Sequence, residues 1–391
     1  MPYIPLTETE KQQMLSAIGV SSMDQLWENA GVSEPAPNLN ALPKGRSEFE
    51  VSRFLATLAD RNASDLTCFL GNGFYDHYIP PVVQEVLGRG EFYTAYTPYQ
   101  AEASQGTLQS IYEFQSGICR LTNMEAANAS MYDGGTALFE AMMMAVRISR
   151  RRRAVVLGSV SPIYLAMIRC YCRNLDIELR ITDARTLSSR KAVERELTED
   201  TACILVQYPN VFGAIEDFSW LTEAAAKKKI LSVCSTYPVA LGLLTPPGDM
   251  GFDIVTGEGQ SLGLPLSFGG PYLGFLSTRK KHLRKMPGRV VGRTTDADGN
   301  VAYTLTLQTR EQHIRREKAT SNICTNEGLC ALAATAYMTA VGQRGFRKLA
   351  ETCAAKAAYT REQLAAIDGV NPLDMPFFNE FVVELPFDAT E

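Results

Sequence analysis

Hydrophobic and polar residues between positions 130 and 277 follow a pattern that predicts strands alternating with helices. Short apolar runs predict strands at 154–158, 177–181, 202–207, 230–234, 252–256 and 272–277. Segments with helical spacing predict helices at 131–149, 162–173, about 190–197 and about 217–228. Strands separated by helices in this way favour a mainly parallel sheet covered on both faces, and therefore the α/β class.

The regions on either side have other patterns. Thr7 with Glu10, and Ser47 with Glu50, have the spacing of a capping box, so the first 85 residues are predicted to be helical around a loop at 31–45. An Ala-rich helix from residue 328 leads to an amphipathic strand at 379–387, which would begin a small domain that looks incomplete. We therefore expect a helical segment at 1–85, a large domain at 86–335 and a small α+β domain at 336–391.

The composition argues against several classes of partner and site. The net charge of −5 gives no reason to expect nucleic acid or an anionic membrane as a partner, and no apolar run reaches 18 residues. Nine Cys without a CxxC pair and only three His argue against a metal site and favour a reducing, cytoplasmic location. The basic runs Arg150–Arg153 and Lys227–Lys229 each follow a predicted helix, where cations complement the partial charge of the helix C-terminus.

The stretch DIVTGEGQSLGLPLSFGG, residues 253–270, raises the question of catalysis. An apolar strand ends there in a polar, Gly-rich turn, where α/β enzymes often place a reactive side chain. The stretch has no Lys, Cys or His, and its only ionisable residues are Asp253 and Glu258.

The stretch DGGTALFEA, residues 133–141, is predicted to be a Gly turn that opens a helix. Gly134 and Gly135 would allow close backbone approach, Thr136 could cap the helix, and the free N–H groups could bind an anion. A plain glycine turn that caps a helix explains the pattern equally well.

The stretch FYTAYTPYQAEASQGTLQSIYEFQ, residues 92–115, carries tyrosines at every third position in a segment predicted to be non-helical. The residues concerned are Tyr93, Tyr96 and Tyr99, with Pro98, followed by Gln100, Glu102, Ser104, Gln105 and Gly106. They are typical of a binding loop, although tyrosines whose hydroxyls remain in water also cover many interfaces.

The stretch IRREKATSNICTNEGL, residues 314–329, is a basic turn that runs into small polar residues and a helix. These residues could position a carboxylate or a phosphate, or could simply form a capped helix that follows a charged turn. Lys318 is the candidate for a Schiff base, but a lysine in a charged run is usually solvated.

Four collinear motifs carry a family resemblance: TAYTPYQAEASQG, ANASMYDGGTALFEAM, GEGQSLGLPLSFGGPYLGF and REKATSNICTNEGLCALAA. They lie within residues 92–335 and resemble the glycine decarboxylase P-protein of the glycine cleavage system. The resemblance is to its N-terminal half, which many bacteria make separately as subunit 1.

The resemblance implies the aspartate aminotransferase-like fold of the pyridoxal phosphate (PLP)-dependent transferases, fold type I. In that fold the Gly turn, here Asp133, Gly134, Gly135 and Thr136, holds the cofactor phosphate. Ser235 or Thr236 stands where an Asp would pair with the pyridine nitrogen, and Gln260 stands where a Lys would form the Schiff base. An amide cannot form an imine, so the pocket is expected to be vestigial, with PLP bound by the partner, subunit 2.

The same resemblance implies the reaction and the assembly. With subunit 2, in an α2β2 heterotetramer, the chain would release CO2 from glycine and pass the aminomethyl group to the lipoyl arm of the H-protein. Tyr96 and Tyr99 would form a wall over the partner's PLP, while Glu102, Ser104 and Gln105 would order the loop or contact glycine. Residues that could line a lipoyl channel or contact an anion are His313, Arg315, Arg316, Lys318, Thr320 and Asn322, although a solvated turn is an alternative.

Two other functions remain open from the sequence. The chain could be a self-sufficient PLP enzyme, such as an aminotransferase or a desulfurase, that uses a different lysine. It could also be a scaffold that stabilises subunit 2 without contributing to its active site.

Overall fold

A computed structural model describes residues 6–32, 41–67, 69, 71–183, 190–324 and 326–389, and the chain divides into two compact units, Met1–Cys68 and Phe69–Glu391. The first unit contains helices α1 (Glu8–Ile18), α2 (Met23–Asn29) and α3 (Glu48–Ala59). Both predicted capping boxes are confirmed, at the N-termini of α1 and α3. Part of the predicted loop at 31–45, residues 33–40, lies outside the described residues.

The second unit contains the remaining elements. Its helices are α4 (Pro81–Leu87), α5 (Gly90–Tyr93), α6 (Gln105–Thr122), α7 (Gly134–Ser149), α8 (Pro162–Cys172), α9 (Arg190–Glu196), α10 (Ser219–Lys227), α11 (Gln312–Arg315) and α12 (Gly328–Ala365). Its strands are β1 (Ala126–Ala127), β2 (Arg153–Val156), β3 (Glu178–Ile181), β4 (Thr201–Tyr208), β5 (Leu231–Thr236), β6 (Ile254–Glu258), β7 (Gly274–Thr278), β8 (Val290–Thr295), β9 (Val301–Thr306), β10 (Asn371–Pro372) and β11 (Val383–Glu384).

Seven strands form the main sheet in the order β1-β7-β6-β5-β4-β2-β3. Strands β3, β2, β4, β5 and β6 are parallel, and β7 runs antiparallel to both of its neighbours. The predicted, mainly parallel sheet is thus confirmed. In this register the carboxyl ends of β4, β5 and β6 meet at one edge, because Tyr208 pairs with Thr236 and Thr236 pairs with Gly257.

Helices cover both faces of the sheet, which explains why its central strands are continuous apolar runs. On one face α7 and α8 pack through buried residues such as Met142 and Ile168. On the other face α10 packs through Leu221, near Phe218 and Phe252. A third cluster joins α6 to α12, with Phe114 and Tyr337 among its members.

Several elements differ from the sequence prediction. Strand β1, at the edge of the main sheet, was not predicted. The hairpin β8–β9, which surrounds an Asp-Ala-Asp-Gly-Asn turn at 296–300, was not predicted. The long strand predicted at 379–387 is wrong, because the regular structure in that range is only β11, paired with β10. Pro386 lacks the N–H group that would continue a ladder.

Helix α12 begins at the predicted residue and continues, across a break at Gly342, to Ala365. Within the described residues, none of the helices combines the length and apolar character needed to cross a membrane.

Candidate functional site

The turn that follows β6 contains a buried carboxylate with three backbone partners. Glu258 ends β6, and its side chain accepts hydrogen bonds from the N–H groups of Gly134 (2.9 Å), Gln260 (2.9 Å) and Leu273 (3.1 Å). The Gly134 donor belongs to the first residue of α7. The ionisable group found in the sequence of this turn is therefore bound to the protein's own backbone.

A second carboxylate caps the same helix. Asp133 Oδ1 accepts a hydrogen bond from the Thr136 N–H (2.8 Å), and Asp133 Oδ2 accepts one from the Thr136 hydroxyl (2.8 Å). The prediction that Thr136 caps α7 is wrong, because its hydroxyl donates to the residue that provides the cap. Glu258 and Asp133 together occupy N–H groups that a helix N-terminus would otherwise offer to an anion.

Side chains also fill the space beside the two glycines of this turn. A Cβ atom on Gly134 would lie 2.5 Å from the Tyr164 hydroxyl and 2.9 Å from Glu258 Cβ. A Cβ atom on Gly135 would lie 2.6 Å from the sulfur of Met167. The absence of side chains at 134 and 135 is thus required by close packing within the protein.

A small cavity of about 30 Å³ remains at the carboxyl ends of β4, β5 and β6. Its described lining residues, which include no lysine, are Asn72, Gly73, Ser161, Tyr164, Gln207, Ser235, Thr236, Tyr237 and Glu258. The predicted pair Ser235 and Thr236 does lie here, buried at the end of β5. A volume of this size corresponds to about one water molecule.

Gln260, the residue at the expected lysine position, is fully buried and fully paired. Its Nε2 donates to the carbonyl oxygens of Tyr75 (3.0 Å) and Leu264 (2.8 Å), and its Oε1 accepts from the Tyr75 N–H (3.0 Å). The Gln260 side chain therefore connects the backbone of Tyr75 to the turn that follows β6. The residues of this pocket do not fit PLP, because no amine lines the described cavity and Glu258 takes the place of an anion.

Burial sets the electrostatics of the pocket. It is the largest cause that raises the pKa of Glu258; the three backbone N–H donors oppose the shift and the nearby Asp133 adds to it, so that the pKa is about 7. Burial also raises the pKa of Tyr164 well above its usual value, with the charges of Glu258 and Asp133 adding to the effect.

The predicted tyrosine loop is shorter than expected. Tyr93 ends α5, Gln105 and Gly106 begin α6, and Glu102 lies in a 3₁₀ helix at Ala101–Ala103, so the non-helical prediction is wrong for these four residues. The inner face of α6 buries Leu108, Phe114 and Ile118.

The polar residues after the loop have different environments. Gln105 Nε2 donates to the Tyr303 carbonyl (2.9 Å), and Gln105 Oε1 accepts from the Tyr303 N–H (2.9 Å). Gln105 therefore joins α6 to β9 and orders the base of the loop. Glu102 is exposed, and Ser104 is half-buried at the start of α6.

Tyr96 and Tyr99, the two tyrosines within the loop, differ in their contacts. Tyr96 is 80% exposed, whereas Tyr99 is 53% exposed and its hydroxyl oxygen accepts a hydrogen bond from Arg289 Nη2 at 2.9 Å. Arg289 is buried and forms an ion pair with the buried Glu311 at 2.8 Å. Neither charged residue was predicted from the sequence, in which an arginine directly before the apolar start of β8 was the available signal.

The segment from Glu311 to Cys324 returns to this cluster. His313 Nδ1 lies 3.6 Å from Glu311 Oε2, and its ring lies edge-on to Tyr99 with the centroids 5.6 Å apart. The structure thus brings together Tyr99 and His313, which the sequence had placed in two separate groups.

The other residues predicted for a channel lie mostly at the protein surface. Arg315, Arg316, Lys318 and Asn322 are exposed, and Thr320 is half-buried. This exposure agrees with the solvated-turn alternative, and the role of the six residues as a channel stays a prediction.

Comparison with known proteins identifies the family. The model of the glycine cleavage system P-protein family matches residues 1–389. The chain belongs to that family. A P-protein described as "Probable glycine dehydrogenase (decarboxylating) subunit 1", from Nitratidesulfovibrio vulgaris, is 51% identical over 393 residues, which cover 100% of this chain and 88% of the relative.

Solved structures agree with this membership. A crystal structure of glycine decarboxylase (P-protein) of the glycine cleavage system, in inhibitor-bound form, superimposes with a TM-score of 0.91 at 41% identity, covering 100% of this chain and 89% of that one. A Lactobacillus brevis glutamate decarboxylase gives a TM-score of 0.62 at 12% identity over 94% of this chain and 83% of that one, which shows the fold alone. The predicted PLP-dependent transferase fold type I is confirmed, and PLP is supported as a cofactor of the family.

In this P-protein family member, some residues predicted from the sequence and their structural partners form two groups. The first is the filled pocket, defined as Asp133, Gly134, Tyr164, Glu258 and Gln260. The second is the Tyr99 cluster, defined as Tyr99, Arg289, Glu311, His313 and Cys324, in which Arg289 Nη2 also lies 3.0 Å from the Cys324 sulfur.

Proposed function

We propose that this chain acts as subunit 1 of glycine dehydrogenase (decarboxylating) and completes the active site of subunit 2, which binds PLP. Together the two subunits release CO2 from glycine and transfer the aminomethyl group to the lipoyl arm of the H-protein. An α2β2 heterotetramer, with this chain as α, is the assembly that fits a shared site.

The observation that carries this proposal is the position of Glu258. Its carboxylate accepts from Gly134, at the helix N-terminus where the cofactor phosphate would be held, and from two N–H groups of the adjoining turn. Gln260 cannot form an imine, and the cavity beside it has a volume of about 30 Å³. These features support a chain that lacks the Schiff-base lysine and takes part in the reaction through its partner.

The contribution of this chain is then the protein surface around the reacting glycine. PLP supplies the electron sink for decarboxylation when it is bound to the partner. Tyr96 and Tyr99 are exposed and can cover that site, exclude water and orient the carboxylate of glycine. Gln105 keeps the base of the loop attached to β9.

Labelling with borohydride tests this proposal. The purified chain, subunit 2 and their mixture are each incubated with PLP, reduced and analysed by mass spectrometry for a pyridoxyl group on lysine. We expect a stoichiometric adduct on subunit 2 and none on this chain. A stoichiometric adduct at one lysine of this chain would overturn the proposal and favour a self-sufficient PLP enzyme.

A further inference from the structure

Arg289 and Glu311 form a buried ion pair below the exposed Tyr99. Their side chains are 3% and 6% exposed, and Arg289 Nη1 lies 2.8 Å from Glu311 Oε2. A buried guanidinium without a counter-charge is strongly destabilising, so Glu311 allows Arg289 to remain inside the protein. The pair is located where β8 begins, next to the segment that leads into α11.

The direction of the hydrogen bond to Tyr99 follows from chemistry. A guanidinium has only donors, so the Tyr99 oxygen must accept the bond from Arg289 Nη2. The hydrogen of the Tyr99 hydroxyl is then directed away from Arg289. Since about half of the tyrosine side chain is exposed, that hydrogen is available to a ligand with an acceptor oxygen.

Other contacts fix the orientation of the ring. The guanidinium carbon lies 5.0 Å from the Tyr99 ring centroid, within the range of a cation–π interaction. His313 packs edge-on against the same ring, and the preceding residue, Pro98, is buried. A side chain held in this way loses less conformational entropy on binding than a mobile tyrosine would.

We propose that Arg289 and Glu311 are positioning residues that fix Tyr99 as a hydrogen-bond donor to the carboxylate of glycine. This inference rests on the proposed function, because glycine would be bound in the site of subunit 2. It distinguishes Tyr99 from Tyr96, whose hydroxyl is not oriented by this pair.

A double-mutant cycle in the reconstituted pair of subunits tests this assignment. Glycine–CO2 exchange is measured with H-protein for the wild type, Tyr99→Phe, Arg289→Gln and the double variant. We expect each single variant to lower kcat/KM for glycine about tenfold, mainly by raising KM. The double variant should also be only about tenfold lower, because both changes remove the same oriented donor.

A variant that replaces the ion pair separates positioning from stability. In Arg289→Met/Glu311→Leu, apolar side chains of similar size replace the buried charges, which commonly preserves stability. We expect normal unfolding in urea but exchange that remains about tenfold low. Arg293→Gln is the matched control, since this arginine is exposed on β8, and its exchange should equal that of the wild type.

The outcomes distinguish this inference from the proposed function. If the double variant falls about a hundredfold, or if Arg289→Met/Glu311→Leu regains full exchange, the inference is overturned while the proposed function stands. If Tyr99→Phe leaves exchange unchanged in an active pair, the inference and the wall role of Tyr99 are both wrong. A pyridoxyl adduct on this chain, in the labelling experiment, would instead overturn the proposed function.

Discussion

The filled pocket and the Tyr99 cluster use hydrogen bonds in opposite ways. In the pocket, the Glu258 carboxylate accepts from three backbone N–H groups, and the Gln260 amide is paired through both its oxygen and its nitrogen. In the cluster, the Tyr99 hydroxyl oxygen accepts a hydrogen bond from Arg289, which leaves the hydroxyl hydrogen for another acceptor. The charged and amide side chains of the pocket are therefore bound within the protein, whereas the Tyr99 hydroxyl is the donor that we propose for a ligand.

The proposed function requires one fold to support both a catalytic subunit and a subunit that assists it. The strands, the Gly turn and the helix N-terminus of this chain have the arrangement of the PLP-dependent transferases. A few side chains at the ends of β5 and β6 nevertheless decide whether a cofactor has space and partners. Function must accordingly be inferred from the site and not from the fold.

The largest expected effect concerns the ionisation of Glu258. Its pKa is about 7 in the folded protein, against 4.5 as the ordinary value. Because the pKa is raised on folding, its contribution to stability is fully present below about pH 4.5 and is lost as the pH rises through 7. We expect Glu258 to lower the free energy of unfolding by about 3 kcal/mol between pH 4.5 and pH 8.

The measurement is urea unfolding of the wild type and of Glu258→Gln across this pH range. Glutamine has the shape of protonated glutamate but does not titrate, so the difference between the two proteins isolates Glu258. Glu223→Gln, at an exposed position of α10, should keep the wild-type dependence. If the free energy of unfolding depends on pH in the same way for the wild type and for Glu258→Gln, this carboxyl group does not titrate as a buried acid.

A smaller effect is expected from Gly134→Ala, which tests whether the pocket is closed. The new methyl group would lie 2.5 Å from the Tyr164 hydroxyl and 2.9 Å from Glu258 Cβ, so packed groups must move. We expect a loss of about 2 kcal/mol in the free energy of unfolding, measured in urea.

Gly328→Ala is the matched control for this change. It lies at the start of α12 with no atom within 4 Å of its added Cβ, so stability should be unchanged or slightly higher. If Gly134→Ala and Gly328→Ala change the free energy of unfolding equally little, the space beside Gly134 is open. The contrast between the filled pocket and the Tyr99 cluster would then disappear.

Local patterns in the sequence were sufficient to predict six of the seven strands of the sheet, all except the short β1, and the two capping boxes. The central strands are buried on both faces, so each is a continuous apolar run that is visible without knowledge of its partners. The hairpin β8–β9 was not predicted because most residues of β8 and β9 are exposed or only partly buried, so the apolar pattern in their sequence is weak.

The partners within the site depend on contacts between distant residues. Glu258 and Gly134 are 124 positions apart, and Arg289 and Tyr99 are 190 positions apart. The spacing of residues along the chain contains no information about which N–H group a carboxylate will reach after folding. The motif resemblance indicated the Gly turn and the Tyr loop, but the bond from Glu258 at the end of β6 to Gly134 at the start of α7 forms only in the folded chain.

The smallest effect is expected at Lys318, the lysine that the sequence offered as a possible Schiff base. Its side chain is exposed at the end of the basic turn, in contrast to the buried Gln260. Lys318→Met should change the free energy of unfolding by less than about 0.5 kcal/mol, because an exposed charge contributes little to folding. The same variant, mixed with subunit 2 and treated with PLP and borohydride, should give the wild-type labelling pattern. A pyridoxyl label on this chain that disappears in Lys318→Met would show that Lys318 forms the Schiff base. The filled pocket would then no longer support the proposal that PLP is bound by a partner.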